Sequence, residues 1–175
     1  MKTLILYLTR DGQTQKIAEK LAQDLTGEAE VLSLRENIEI SVEKLAEYDL
    51  IVIGASIRYG HFDPCLEPFI TKHYPLLNQK KSAFFSVNLT ARKSNRNTPE
   101  TNVYTRKLLA RIQWQPTLVE VIAGALLYPR YKWFDRVMIR FIMKITGGET
   151  DTSKEVEYTD WQQVKIFAQR LQKIV

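Results

Sequence analysis

Ile5-Leu6-Tyr7-Leu8-Thr9-Arg10-Asp11-Gly12-Gln13-Thr14-Gln15-Lys16-Ile17-Ala18-Glu19-Lys20-Leu21 decides the fold. Its first residues belong to an apolar run, Lys2–Leu8, suited to a strand buried on both faces. Its last residues open a series, Ile17, Ala18, Leu21, Ala22 and Leu25, at helical spacing with polar residues between. The loop Thr9–Thr14 therefore lies between a strand and a helix N-terminus, where free backbone N–H groups and the helix dipole favour an anion. Thr9 and Thr14 offer hydroxyls to such an anion, and Gly12 lets the backbone approach closely. The loop is not Gly-x-Gly-x-x-Gly, so a dinucleotide pyrophosphate is not indicated. It has no Gly-Lys-Ser/Thr, which excludes an NTPase phosphate loop.

Outward from that stretch the chain alternates strand and helix patterns. Glu28–Leu34 reads as a second strand, giving the β–loop–α–β opening of a parallel sheet. Tyr48–Gly54 is a third strand, and a helix follows Asp63-Pro64 and runs to about His73. Lys81–Leu89 is a fourth strand and Thr90–Asn97 a polar loop. Thr98-Pro99-Glu100 signals a helix start, with Thr98 as N-cap and Pro99 in the first helical position, and that helix runs to about Ile112. Thr117–Tyr128 is a fifth strand region. Thr159-Asp160-Trp161-Gln162 has a capping-box pattern and opens a last helix with the stripe Trp161, Val164, Ala168 and Leu171. The expectation is one α/β domain over 1–175 with a five-stranded parallel sheet of order 2-1-3-4-5 and helices on both faces. Residues 129–158 exceed the minimal plan and read as an insertion.

Composition narrows the chemistry. Cys65 is the single cysteine, which excludes an internal disulfide and any Cys-x-x-Cys motif and suggests a small buried apolar residue. His61 and His73 lie apart with no ligand-spaced neighbours, so no metal is expected. The run Leu4–Leu8 is too short for a signal-peptide core, and no apolar run approaches the roughly 18 residues of a membrane span. A cytoplasmic chain is therefore expected. The net charge of +5 calls for an anionic partner: nucleic acid, a membrane surface or an acidic small molecule.

The location of the charge chooses among them. Tyr128–Ile145 reads YPRYKWFDRVMIRFIMKI, with Arg130, Lys132, Arg136, Arg140 and Lys144 against the single acid Asp135. Lys132, Arg136, Arg140 and Lys144 recur every four residues, along one face of a helix. Trp133, Phe134, Val137, Met138, Phe141, Ile142 and Ile145 cover most of the rest. Such a helix suits an anionic membrane interface, apolar face down; the alternative is a helix docked on the sheet with a solvated basic edge. Nucleic acid is disfavoured by so apolar an opposite face.

The opening stretch resembles the flavodoxin signature for the phosphate of FMN at each of its defined positions. The resemblance implies FMN held by Thr9, Arg10, Asp11, Gly12, Gln13 and Thr14. It also implies loops after the third and fourth strands that flank the isoalloxazine ring: Ala55, Ser56, Ile57, Arg58, Tyr59 and Gly60, then Ser86, Val87, Asn88, Leu89, Thr90 and Ala91. Tyr59 is the candidate to stack on the ring. The second loop departs from flavodoxins in having no aromatic, which leaves one flavin face open to a flat substrate. Arg58, Arg92, Lys93 and Arg96 replace the acidic surround of electron-carrier flavodoxins and suggest a raised two-electron potential.

Later motifs narrow the resemblance. Gly54–His61, Ser86–Leu89, Ala91-Arg92-Lys93, Ala123-Gly124-Ala125-Leu126, Tyr128-Pro129-Arg130-Tyr131, Gly147–Thr152 and Tyr158–Trp161 are similar to the flavodoxin-like, menaquinone-dependent protoporphyrinogen IX dehydrogenases of bacteria. That family implies oxidation of protoporphyrinogen IX to protoporphyrin IX in haem synthesis, through FMN to membrane menaquinone or ubiquinone. It also implies a peripheral place on the cytoplasmic side of the inner membrane. Arg58, Arg92, Lys93 and Arg130 are then the candidate contacts for the substrate's propionates. No catalytic base is evident. The competing expectations are an FMN-dependent NAD(P)H:quinone reductase, an electron-transfer flavodoxin, and a binding module without flavin.

Overall fold

Strand alternation sorts the core onto two faces of one sheet, as seen in a computed structural model that describes residues Met1–Val175. In β1 (Lys2–Leu8), Leu4, Leu6 and Leu8 point one way and Ile5 the other. In β3 (Leu50–Arg58), Ile51, Ile53 and Ala55 join the first face, and Leu50 and Val52 the second. In β5 (Lys81–Asn88), Phe84 joins the first, and Ala83, Phe85 and Val87 the second. With β2 (Glu28–Ser33) and β6 (Leu118–Ala123), these form a parallel sheet in the order β2-β1-β3-β5-β6. That is the expected 2-1-3-4-5 order. The two-residue β4 (His61–Phe62) only turns back on the end of β3.

Helices α1 (Gln13–Asp24) and α6 (Trp161–Lys173) cover one face through Ile17, Leu21, Val164, Phe167 and Leu171. The other face carries α2 (Val42–Ala46), α3 (Leu66–Gln79) and α4 (Val103–Arg111) through Leu45, Phe69, Ile70, Leu77 and Leu108. The two helix layers bury apolar stripes against a sheet apolar on both sides, which is the main source of stability in such an architecture. Gly54 is obligatory: a Cβ there would stand 2.0 Å from the ring of Phe85 on the adjacent strand.

Several boundaries differ from the sequence reading. Helix α4 starts at Val103, with Asn102 rather than Thr98 as N-cap. Thr98 and Thr101 instead close a turn through their hydroxyls, 2.8 Å apart. Helix α3 continues past His73 through Pro75 to Gln79, because Leu77 buries against the sheet; this burial offsets the hydrogen bond that the proline cannot make. Asp160, not Thr159, caps α6, and the Thr159 hydroxyl donates to the Ala123 carbonyl. The fifth strand region breaks at Gly124 into β6 and β7 (Ala125–Leu127). Strand β7 pairs antiparallel with β8 (Glu155–Glu157), a second small sheet that the pattern did not announce. Between β7 and β8 runs α5 (Trp133–Thr146). Cys65 is half-buried at the start of α3 rather than wholly enclosed, and its thiol is pushed up by burial and by Asp63.

His73 is buried on α3 against Phe69, and neither ring nitrogen has a hydrogen-bond partner. Burial, then Lys72, lowers its pKa below the ordinary value of 6.5. A depressed histidine binds fewer protons folded than unfolded, so it leaves stability intact above the unfolded pKa and erodes it as pH falls below that value. The urea midpoint of the wild type should therefore drop between pH 7.5 and 5.5 by more than that of His73→Phe. Parallel slopes would remove His73 as the cause.

Candidate functional site

The four loops at the carboxyl ends of β1, β3, β5 and β6 meet around one cavity of about 470 Å³, the size of a small-ligand site. Thr9, Arg10, Asp11, Gln13 and Thr14 form its floor. Ser56, Ile57, Arg58, Tyr59 and Gly60 form one side, with Val87, Asn88, Leu89 and Thr90 opposite. Of the expected residues, Gly12, Ala55, Ser86 and Ala91 lie behind this wall. Ser86 is buried with its hydroxyl 2.7 Å from that of Thr105. Ala91 is buried in a short 3-10 turn capped by the Asn88 side chain.

The floor has the features of an anion site: a left-handed glycine, an uncapped helix start and an unpartnered hydroxyl. Gly12 has φ 98, the left-handed conformation that glycine adopts without strain, and its N–H donates to the Thr9 hydroxyl at 3.0 Å. No side chain caps α1, so its first N–H groups stay open. Thr14 is 1% exposed, and its hydroxyl has no partner in the protein. The Gln13 amide is committed elsewhere, donating to Glu157 and Thr159 at 2.9 Å each. Burial pushes Glu157 up, but hydrogen bonds from Lys16, Gln13 and Trp161 outweigh it and bring its pKa down to about 2. Strand β8 thus clamps the loop from outside. At the opposite side Asn88 is also buried, with its Nδ2 unpartnered. Thr14 and Asn88, which both line the cavity, thus each carry a buried polar atom without a protein partner, the pattern expected of groups that meet a ligand.

The expected cations divide by what already holds them. Arg58 pairs with Asp11 and lies 3.8 Å from Asp135 of α5, with its guanidinium 4.9 Å from the centre of the Tyr131 ring. Arg92 donates to the Leu89 carbonyl at 2.8 Å and to Thr146 at 3.1 Å, tying the loop after β5 to the end of α5. Arg130 lies outside the cavity, paired with Glu155 at 2.8 Å. Lys93 lines the cavity without an ion pair, as do Arg10 and Arg96. Asp11 is the only carboxylate on the wall; burial raises its pKa, partly opposed by Arg58 and Arg10. Tyr59, at φ 52 in the β3–β4 turn, donates its hydroxyl to Asp135. Burial, and then that bond, push its pKa up to about 12.

Other wall residues come from distant segments. Tyr104 stands at the start of α4 beside Gly60, Gly124 and Ala125 mark the break after β6, and Tyr131 precedes α5. Aromatic side chains therefore do line the cavity, although the loop after β5 carries none. Ile139, Ile142, Met143 and Thr146 of α5 complete the wall. Ile139 and Met143 anchor the helix on Leu126, Leu127, Tyr128 and Tyr131. Its other large apolar side chains remain exposed, Trp133 at 76%, Ile145 at 68%, Phe134 at 63% and Phe141 at 59%. His61 is exposed in β4 and does not reach the wall. No helix of the structure is long and apolar enough to cross a membrane.

Comparison with known proteins agrees with this geometry. Residues 4–153 match the flavodoxin domain model. The chain is 53% identical, over 98% of its length and 94% of the relative's, to protoporphyrinogen IX dehydrogenase (quinone) of Escherichia coli K12. It is 52% identical, over 95% of its length and 73% of the relative's, to the protein of the same name from Leishmania major. Among solved structures, a flavodoxin from the Archaea superposes with TM-score 0.56 at 15% identity, covering 99% of this chain and 98% of the other. Flavodoxin 2 of Bacillus cereus superposes with TM-score 0.55 at 20% identity over the whole of both chains.

Proposed function

Since this chain belongs to the flavodoxin-domain family of protoporphyrinogen IX dehydrogenases (quinone), we propose that it oxidises protoporphyrinogen IX and passes the electrons to a membrane quinone. The cofactor of the fold is FMN, and the residues present fit it: the unpartnered Thr14 hydroxyl faces an uncapped helix start, where a phosphate belongs. Thr9–Thr14 would hold the phosphate, with Ala55–Gly60 and Ser86–Ala91 flanking the ring. Bound FMN supplies the two-electron acceptor that stands between porphyrinogen and quinone.

The protein's own part is binding, orientation and charge. Arg10, Arg58, Arg92, Lys93 and Arg96 face the cavity against the lone carboxylate of Asp11. That balance favours the reduced, more anionic state of the cofactor and a higher potential than acidic surroundings give. It also suits a large apolar ring carrying two carboxylates. Arg58, Arg92 and Arg130 are already engaged, so the propionates fall to Lys93 and Arg96. Helix α5 presents its exposed apolar arc, flanked by Lys132, Arg140 and Lys144, to an anionic membrane surface. These features support a peripheral position on the inner membrane, where a lipid-borne acceptor is found.

The observation that carries this reading is the cavity itself: an anion-binding floor, a basic rim and an apolar wall on α5 converge on one volume. Anaerobic FMN-loaded protein should bleach on mixing with protoporphyrinogen IX and regain its colour, with porphyrin fluorescence, when a menaquinone analogue is added in detergent. Bleaching by NADPH alone would make the protein an NAD(P)H:quinone reductase instead. In the same assay Lys93→Glu/Arg96→Glu should raise the porphyrinogen KM about tenfold with little change in kcat, as expected for two charge reversals worth about 1.4 kcal/mol together. An unchanged KM would send the propionates back to the engaged arginines.

A further inference from the structure

Two substrates of opposite character must reach one cavity, and its wall has two chemically different sides. Arg10, Lys93 and Arg96 make one side basic. Ile139, Ile142 and Met143 make the α5 side apolar. Ile139 and Met143 are buried, but Ile142 is 40% exposed. Ile142 thus belongs at once to the cavity wall and to the outer apolar arc of α5. Its neighbours one helical turn away are Met138, Ile139, Ile145 and Thr146, none of them charged. Arg140 and Lys144, two residues to either side, project from the other side of the helix.

We infer that Ile142 is the sill of an apolar portal through which a quinone, its isoprenoid tail still in lipid, passes its head group from the outer face of α5 into the cavity. The inference rests on the dehydrogenase reading and adds to it a route and a subsite. A neutral ring with a hydrocarbon tail crosses the sill beside Met138, Ile139 and Ile145 rather than over a charged side chain, so little desolvation of charge opposes entry there. Arg92 waits at the same end: its two terminal nitrogens are bonded to Leu89 and Thr146, while its Nε makes no protein hydrogen bond and is free for a quinone carbonyl. The quinone takes up two electrons and two protons. Both electrons and one proton come from the reduced cofactor, the second proton comes from water, and the product leaves as quinol by the same sill. The porphyrinogen, with its carboxylates, enters over the basic rim.

The test separates the portal from the cavity. FMN-loaded protein is photoreduced under anaerobic conditions, with EDTA as the sacrificial electron donor, and then mixed, in neutral detergent micelles, with a long-tailed ubiquinone or with the same ring lacking the tail. The ratio of the two reoxidation rates is the readout. In Ile142→Glu it should fall about tenfold, because a carboxylate on the sill blocks the tailed molecule while the small ring still enters over the rim. Ile142→Trp, which stays apolar and narrows the gap, should lower the ratio as well, and it carries the test if the glutamate variant does not fold. An unchanged ratio in both variants would overturn the portal. EDTA under illumination replaces the porphyrinogen as electron source, so failure of the dehydrogenase reading would show separately, as absence of bleaching by that substrate.

Discussion

Thr14→Val should loosen FMN binding by about 10–100-fold while leaving the apoprotein as stable as before or slightly more so. The hydroxyl is buried and has no partner in the protein, so in the free chain it is an uncompensated polar group. Such a group costs about 1–3 kcal/mol, and valine removes it at nearly constant shape. In the proposed complex the same hydroxyl would donate to a phosphate oxygen, and a hydrogen bond to a charged group contributes about 1.5–3 kcal/mol. At 1.4 kcal/mol per factor of ten, that gives the predicted range. The two effects have opposite signs, which separates ligand recognition from general damage to the fold. Titration of apoprotein with FMN, followed by flavin fluorescence, measures the first, and thermal unfolding of the apoprotein measures the second. Riboflavin, which lacks the phosphate, should bind wild type and variant alike. Equal loss of both ligands would place the Thr14 contact somewhere other than the phosphate.

This loop was legible because its chemistry is local. A strand, a glycine with φ 98 and an uncapped helix start follow one another within a few residues, so the form of the loop is set locally, although Gln13 and Asp11 are also held by Glu157, Thr159 and Arg58 from distant segments. The parallel order was legible for a similar reason: each strand of Leu, Ile, Val or Phe is followed by an amphipathic helix, and right-handed crossovers leave few arrangements. Capping was less legible where two signals competed. Thr98-Pro99-Glu100 has the composition of a helix start, but Asn102 wins because its amide also reaches the Asn88 side chain at 3.2 Å and the Arg96 carbonyl at 3.0 Å. Those partners lie on another strand end and loop, invisible to spacing. The same holds for Tyr104, Tyr131 and Met143, which converge on the cavity only after α4 and α5 dock. Tyr131 and Gly124 did sit inside the family motifs, a signal that marks their importance but not their place on the wall. Arg58, Arg92 and Arg130 read as free cations in the sequence; their carboxylate and carbonyl partners come from distant segments.

Phe134→Glu/Phe141→Glu should abolish binding to anionic vesicles while the protein still loads FMN. Neither side chain reaches the cavity, and both stand largely in solvent, so the fold has little to lose. Helix α5 is held to the body by Ile139 and Met143, which the substitutions leave in place. Inserting a phenylalanine into the interface contributes up to about 1.5–3 kcal/mol, and each added negative charge opposes an anionic surface by about 1 kcal/mol. With part of each ring already covered, the double variant should lose about 4 kcal/mol of membrane affinity, close to three orders of magnitude. Co-sedimentation with vesicles of phosphatidylglycerol and phosphatidylethanolamine measures it. Salt then apportions the forces: raising the ionic strength should weaken wild-type binding only in part, because the apolar arc is not screened. Binding that salt removes completely, and that the double variant retains at low salt, would reduce the helix to a basic patch and return nucleic acid to consideration. Partial salt resistance together with loss in the variant requires that the apolar arc enter lipid. The arc and the cavity share Ile142, so the surface that binds the membrane is then also the surface that admits the acceptor.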